Sequence, residues 1–282
     1  MNFRLSLFNL AFRAWRSLPG VSASKNDFKR KVTGILSRLI RRPMVAIDDQ
    51  LFLRYELNST IGFQLFFHGA FEFEPLQYCR RFIGEGSVVL DVGANIGVYA
   101  CHYAPMCRSG LVLAFEPGKR VFNLLVKNVA SLPNVIPLNI ALSNQSGLLS
   151  FYENIDSAYS SLQQTGRGVV QTERKVLGCT VDDIILTLRL DRLDFLKIDV
   201  EGLEAEVVEG ASESIKRFRP VILCEICERN SKKDSKVLVN YLIEIGYIAF
   251  VFQHGKLVSF VEHSDDSQDY LFIPKRSYGA ED

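Results

Sequence analysis

Histidine is scarce in this sequence. There are four, and none of His68, His102, His254 and His263 stands at ligand spacing from another, which argues against a histidine-built metal centre. No stretch approaches the ~20 apolar residues that a membrane span requires. Internal repeats are absent, and acids are nearly absent from the first 43 residues. That segment carries ten basic side chains against the single Asp27, a net of +9, so an overall charge of +1 leaves −8 for the rest. An acidic body is a poor surface for coating nucleic acid, and no nucleic-acid partner is expected.

Cysteine occurs six times but without a disulfide or zinc pattern. Cys224 and Cys227 have the two-residue spacing of a zinc ligand pair, yet Cys224 sits inside the apolar run Pro220–Ile226 and Cys227 follows it directly. In a strand, positions i and i+3 point to opposite faces. The pair therefore cannot chelate one ion or close a disulfide without breaking the strand. Buried thiols imply a reducing, cytoplasmic setting.

What is present is the material of a soluble globular fold, with 48% hydrophobic and 23% charged residues. Three segments are expected: a basic arm over 1–43, a β/α lead-in over 44–82, and a catalytic domain over 83–276 that does not include the arm. The first 20 residues place Phe8, Phe12 and Trp15 a turn apart beside Arg4, Arg13 and Arg16. That pattern suits an amphipathic helix for membrane-surface contact, with a transit peptide or an ordinary packed helix as alternatives. The lead-in shows β alternation at Val45–Ile47 and Gln50–Tyr55, then a helical stretch over Glu74–Ile83.

From Val88 onward short apolar strands alternate with helices. The strands are Val88–Val92, Leu111–Glu116 and Val135–Leu142, with helices Val98–Met106 and Lys119–Ser131 between them. Such a βαβαβ series predicts an α/β, doubly wound, mostly parallel sheet. Alternating strands at Gly147–Glu153 and Arg174–Thr180, joined by a Ser/Gly/Gln-rich loop over 157–172, interrupt the series. It resumes with Phe195–Val200, a helix Leu203–Arg217, strand Val221–Ile226 and a helix Ser235–Ile245. Strands Tyr247–Gln253 and Tyr270–Pro274 close the chain and predict an antiparallel edge.

The strongest local signal is Asp91-Val-Gly-Ala-Asn-Ile-Gly97, an apolar strand ending in an acid, a glycine turn and the start of a helix. Gly93 and Gly97 let the backbone turn tightly, and the helix start presents unpaired N–H groups. In open α/β sheets ligands bind outside the carboxyl ends of strands where the order reverses. The next strand ends in Ala114-Phe-Glu-Pro117, which puts Glu116 where a nucleotide fold places its ribose-binding acid. A nicotinamide site prefers Gly-x-Gly-x-x-Gly. Here Asn95 replaces the glycine that would make room for a pyrophosphate, and Asp91 suits a cationic amino-acid cofactor better than a polyanion.

With these motifs, the sequence resembles the FkbM family of S-adenosylmethionine-dependent methyltransferases over roughly residues 65–275. Beside the glycine turn and Phe115-Glu-Pro117, the resemblance rests on Asn139-Ile-Ala-Leu-Ser143 and above all on Leu196-Lys-Ile-Asp-Val-Glu-Gly-Leu-Glu204. Gly69-Ala-Phe-Glu-Phe-Glu74 and Thr180-Val-Asp-Asp183 add to it. The resemblance implies a class I methyltransferase that carries a methyl group from S-adenosylmethionine to a hydroxyl of a small molecule, sugar or glycan. It assigns the methionine end of the cofactor to Asp91, Gly93, Ala94, Asn95 and Gly97, the ribose to Glu116 beside Pro117, and the adenine pocket to Ile140 and Ala141. It is silent on the basic arm.

Asp199 and Glu201 follow the fourth parallel strand and Glu225 lies near the end of the fifth, so these three are the candidate catalytic acids. A carboxylate of raised proton affinity can take the proton an attacking hydroxyl releases. The same oxygens would suit Mg²⁺ or Ca²⁺, but no metal is assigned. Each residue has a plainer reading. Lys197 can pair at a sheet edge, Glu201 can charge a helix start, and Glu204 can do the same or pair along the helix. Ser160 and Ser161 close over the acceptor or are solvated loop residues. His102 reads as a helix-face residue and His68 as a weaker acceptor-site candidate. A non-catalytic binding protein on the same fold, or a nicotinamide-dependent oxidoreductase, are the alternatives.

Overall fold

The computed structural model describes residues 11, 25–40, 43–47, 51–163, 170–226, 235–253, 256–260 and 268–275. The amphipathic stretch over 1–20 lies outside these, Ala11 apart, as do Cys227, His254 and His263. Helix α1 (Lys25–Leu39) leads to an antiparallel pair, β1 (Met44–Ala46) and β2 (Phe52–Arg54), and to helices α2 (Thr60–His68) and α3 (Phe73–Cys79). Ser59 starts α2 by accepting a hydrogen bond from the Gly62 N–H, a cap that stabilises by about 1 kcal/mol. The basic segment is not detached from the lead-in. Phe28 of α1 is buried against Phe67 of α2, and the Lys29 ammonium stands 4.6 Å over the Phe63 ring.

The main sheet begins at β3 (Val88–Val92). It continues through β4 (Leu111–Phe115) and β5 (Val135–Leu138), connected by helices α4 (Val98–Tyr103) and α5 (Lys119–Val129). Beyond an inserted sheet it takes up β9 (Phe195–Ile198), β10 (Val221–Ile226), β11 (Tyr247–Gln253), β12 (Lys256–Ser259) and β13 (Gln268–Pro274). The order across the sheet is β12-β11-β13-β10-β9-β3-β4-β5, with every pair from β10 to β5 parallel. The order reverses between β3 and β9, so a crevice opens at their carboxyl ends. The antiparallel end is present and has more strands than expected. β12 forms the edge, and the last strand, β13, inserts between β10 and β11.

Period-two alternation divides the core into two layers. Val88, Leu90, Val92, Leu196, Ile198 and Ile222 face one layer, while Val89, Phe195, Leu223 and Leu271 face the other. The second layer is covered by the lead-in segment, whose Leu53, Leu57, Ile61 and Leu76 are buried in it. Asp91 and Lys197 are register partners on this same face. The lead-in therefore comes to lie over the polar residues of the central strands.

Two predicted elements are divided in the structure. Val135–Leu142 is not one strand: β5 ends at Leu138, Asn139 turns away to donate to the carbonyls of Glu116 and Pro117, and β6 (Ala141–Leu142) joins another sheet. That sheet is β6-β8-β7, built with β7 (Gly147–Asn154) and β8 (Val170–Cys179). After β8, Thr180 caps a short helix, α6 (Val181–Thr187), by accepting the Asp183 N–H. The single helix predicted over Leu203–Arg217 is two, α7 (Glu204–Glu209) and α8 (Ser212–Phe218). At the break a Cβ on Gly210 would lie 2.2 Å from the Ser143 carbonyl oxygen, and Asp182 of α6 accepts the N–H groups of Glu213 and Ser214 at the start of α8. Among the described residues no helix is long and apolar enough to cross a membrane.

Candidate active site

The glycine turn is built by close backbone approach. Gly93 has φ +77°, and a Cβ there would stand 1.8 Å from the Asp199 carbonyl oxygen, so no side chain fits. The N–H groups of Gly93 and Ala94 both donate to the Phe115 carbonyl, at 3.0 and 2.9 Å. These two donors are thus spent on tying the turn to β4 rather than aimed at a ligand. Asn95 lies in the left-handed region at φ +49°, and its Oδ1 is buried without a hydrogen-bond partner on the cleft wall.

Glu116 meets the turn from the end of β4. Its Oε2 accepts the Asn95 N–H at 3.1 Å and its Oε1 accepts the Gly118 N–H at 2.7 Å. Burial raises its pKa to about 7, and these two bonds oppose the rise. Asp91 lies deeper, 1% exposed, with Oδ2 accepting the Ala100 N–H at 3.1 Å and Oδ1 3.9 Å from the Lys197 ammonium. It supports the turn from below.

Lys197 is not at a sheet edge. It is buried in β9, between β3 and β10, and its ammonium lies 3.1 Å from Asp199 Oδ2 and 3.4 Å from the Gly93 carbonyl. Burial alone would lower its pKa, but the carboxylates of Asp199, Asp91 and Glu72 outweigh that and raise it. The ammonium is the counter-charge under the crevice.

Around it gather several acids. Glu72, Asp199 and Glu225 each bring a carboxylate oxygen to within 4.8 Å of the others. Asp199 follows β9, Glu225 is the penultimate residue of β10, and Glu72 arrives from the lead-in at φ +45°, its Oε2 accepting the Tyr99 hydroxyl at 2.7 Å. The Asp199 charge, then burial, push the Glu225 pKa well above its ordinary value. Burial, then Asp269, do the same to Glu72, and Asp269, across from Glu225 on β13, is raised to about 7 by burial and Asp199. Proton uptake is the way such a cluster relieves its repulsion. The trio has the spacing of a cation site, but the Lys197 ammonium already supplies positive charge there.

Glu72, Asp199 and Glu225 line one cleft at the β3/β9 reversal, with a free volume, counting its open mouth, of about 1040 Å³. Of the residues singled out in the sequence, Gly93, Asn95, Glu116, Pro117, Ile140, Ala141, Asp199, Glu201 and Glu225 line it; Asp91, Ala94 and Gly97 do not. Ile140 and Ala141 reach the wall because β5 stops at Leu138. Ser160 and Ser161 also line it, and Ser161 Oγ donates to the carbonyls of Val200 and Glu201. Glu201 stands outside the trio, in a left-handed turn at φ +56°. Glu204 is no surface helix residue: it is buried, and its Oε1 accepts the Gly202 N–H at 2.9 Å, closing that turn. His102 sits on its helix with Nδ1 2.8 Å from the Val98 carbonyl, and His68 is exposed outside the cleft. Sequence reasoning missed Glu72 as a site residue. A lysine amid Leu196, Ile198 and Phe195 was the one available sign of the buried charge network.

The family model for the methyltransferase FkbM domain matches residues 91–271. Hexuronic acid methyltransferase AglP of Haloferax volcanii is 29% identical over 187 residues, covering 65% of this chain and 74% of that protein. 2-O-methyltransferase NoeI of Sinorhizobium fredii is 24% identical over 152 residues, 47% of this chain and 60% of that one. The crystal structure of methyltransferase FkbM from Methylobacillus flagellatus aligns with a TM-score of 0.46 at 16% identity, over 68% of this chain and 44% of the other.

Proposed function

Because this chain belongs to the methyltransferase FkbM domain family, we propose that it transfers the methyl group of S-adenosylmethionine to a hydroxyl oxygen of a sugar or other small molecule. The observation that carries this reading is the single cleft that has Glu116 on one wall and the Glu72–Asp199–Glu225 carboxylates on another. The names of the relatives, one acting on a hexuronic acid and one at a 2-O position, support a sugar-like acceptor.

The residues present fit the cofactor. Each Glu116 oxygen is used once and a carboxylate offers about four acceptor sites in all, so acceptor capacity for ribose hydroxyls is left. The orphaned Asn95 Oδ1 is an acceptor awaiting a donor. Phe115, Ile140, Ala141 and Leu142 form an apolar wall suited to a purine ring. A dinucleotide pyrophosphate, by contrast, would meet five carboxylates and no basic side chain among the described residues of the lining. When bound, S-adenosylmethionine supplies an electrophilic methyl on a sulfonium. Asp199, held by Lys197, orients the acceptor hydroxyl, and Glu225 or its neighbour Glu72 receives the hydroxyl proton.

Calorimetry with S-adenosylmethionine and S-adenosylhomocysteine tests the cofactor. Glu116→Gln is expected to lose about 1.5–3 kcal/mol of binding, and wild-type affinity should rise as pH passes through about 7, where Glu116 ionises. Binding of NAD in place of S-adenosylhomocysteine would overturn the reading. Asp199→Asn and Glu225→Gln should keep cofactor affinity and lose at least about a hundredfold in methyl transfer. Near wild-type turnover in both would make the pair structural.

A further inference from the structure

We propose that Thr60 and Ser160 read a free hydroxyl beside the reacting one, and that Asp156 positions them both. Thr60 accepts that hydroxyl's hydrogen bond and Ser160 donates to it. The inference rests on the methyltransferase reading and narrows its acceptor to a compound with neighbouring hydroxyls, such as a sugar ring.

Both residues line the cleft, Thr60 at the start of α2 and Ser160 just after the short 3-10 turn Ser157–Tyr159. Asp156 joins them. Its carboxylate oxygens accept the Thr60 N–H at 3.1 and 3.0 Å, and Oδ2 accepts the Thr60 hydroxyl at 2.7 Å. The same carboxylate caps the turn by accepting the Ala158 N–H at 3.3 Å. From α1, Lys29 senses this acid: burial lowers the lysine pKa and the Asp156 charge opposes the fall. One carboxylate thus fixes an element of the lead-in and the segment that carries Ser160.

Each of the two hydroxyls has a direction. A carboxylate offers only lone pairs, so the Thr60 proton points to Asp156. What Thr60 Oγ1 still has for a ligand is a lone pair. Ser160 stands the other way round. Its Oγ accepts the Asn154 N–H at 2.9 Å, a bond that leaves its own O–H to donate. A sugar hydroxyl is donor and acceptor at once and matches both. A methoxy group can only accept, so it leaves Thr60 without a donor, and a C–H at that position serves neither residue. The chain therefore acts on a ring whose neighbouring hydroxyl is still free.

The test is methyl transfer from S-adenosylmethionine, by the full-length protein, to methyl glycosides of the common hexoses and hexuronic acids. Each is offered beside its monodeoxy and mono-O-methyl derivatives. For a ring that is methylated, capping the hydroxyl next to the reacting one with a methyl group should lower kcat/KM by about tenfold to a hundredfold. The smaller deoxy compound should fall at least as far, which excludes crowding as the cause. Thr60→Val should remove most of the preference for hydroxyl over methoxy, and Thr60→Ser should keep it. Ser160→Ala should slow both compounds alike, since both accept its hydrogen bond. Asp156→Asn, whose amide can donate to Thr60, should weaken the preference and leave S-adenosylhomocysteine affinity unchanged, a pattern that a merely structural role would not give. Equal use of hydroxyl and methoxy neighbours by the wild type, or a preference that survives Thr60→Val, overturns the proposal, and so does a panel on which no sugar is methylated. Calorimetry of S-adenosylhomocysteine on the same sample keeps the outcomes separable: its failure sinks the methyltransferase reading, whereas its success with a failed panel sinks only the acceptor assignment.

Discussion

Lys197 and Asp199, two residues apart at the end of β9, form an ion pair at 3.1 Å with side chains 6% and 20% exposed. Every other charged group of the cleft floor is arranged around it. Asp91 reaches the same ammonium from β3, and Glu72 and Glu225 crowd the same carboxylate from the lead-in and from β10.

Removing the cation should therefore cost far more than losing a surface pair. Lys197→Met is expected to destabilise the fold by about 3–5 kcal/mol, because the buried Asp91 and the half-buried Asp199 lose their counter-charge. Urea unfolding measures this. Adding Asp199→Asn to the same chain should recover part of the loss. A cost below about 1 kcal/mol for the single variant would mean that the pair behaves as an exposed one.

Glu204 supplies a pH test that does not involve the cleft's ligands. Burial raises its pKa from 4.5 to about 7, against the hydrogen bonds it accepts from Gly202 and Val200. The folded chain thus holds this proton more tightly than the unfolded chain does. The resulting stability is fully present below the unfolded value and is lost as pH rises through about 7. Glu204→Gln should flatten that decline by on the order of 2 kcal/mol between pH 5 and 8. Parallel stability curves for variant and wild type would show that Glu204 ionises normally.

Gly93→Ala should be among the most damaging single-methyl additions in the chain. The new Cβ would sit 1.8 Å from the Asp199 backbone oxygen at a φ of +77°. Turn and β9 would have to separate, at an expected cost of about 3 kcal/mol or more and with loss of cofactor binding. Gly147→Ala, at positive φ but with nothing within 4 Å, is the control and should cost about 1–2 kcal/mol.

The basic segment contributes to stability through α1. A chain beginning at Met44 loses Phe28 from the Phe67 contact and should unfold at lower urea concentration, by about 1.5–3 kcal/mol. Cofactor affinity should be unchanged, since among the described residues none before Thr60 lines the cleft. Equal stability of the two chains would show α1 to be dispensable.

Several features were legible in the residues themselves because their causes are local. The apolar alternation of Val88–Val92 and Phe195–Ile198, the glycines of the β3 turn and the acid closing β4 are all set by neighbours within a few positions. Breaks in elements were less legible. Nothing near Gly210 in sequence shows that Ser143 will press on it, and nothing near Asn139 shows that the end of β4 will take its amide. The placement of β13 between β10 and β11 is set by strand pairing across the whole sheet.

The cleft floor divides in the same way. Alternation on β9 puts Lys197 on the opposite face from Leu196 and Ile198, and sequence alone allows that face to be solvent or core. Tertiary structure decides it, because the lead-in packs its Leu53, Leu57 and Ile61 over that face and shuts out the water that would have solvated the lysine. The same packing delivers Glu72, a residue with no local mark of function, to Asp199 and Glu225. Charge that in an exposed strand would be screened is, in this enclosure, set by the pairing of the Lys197 ammonium with Asp199 and Asp91.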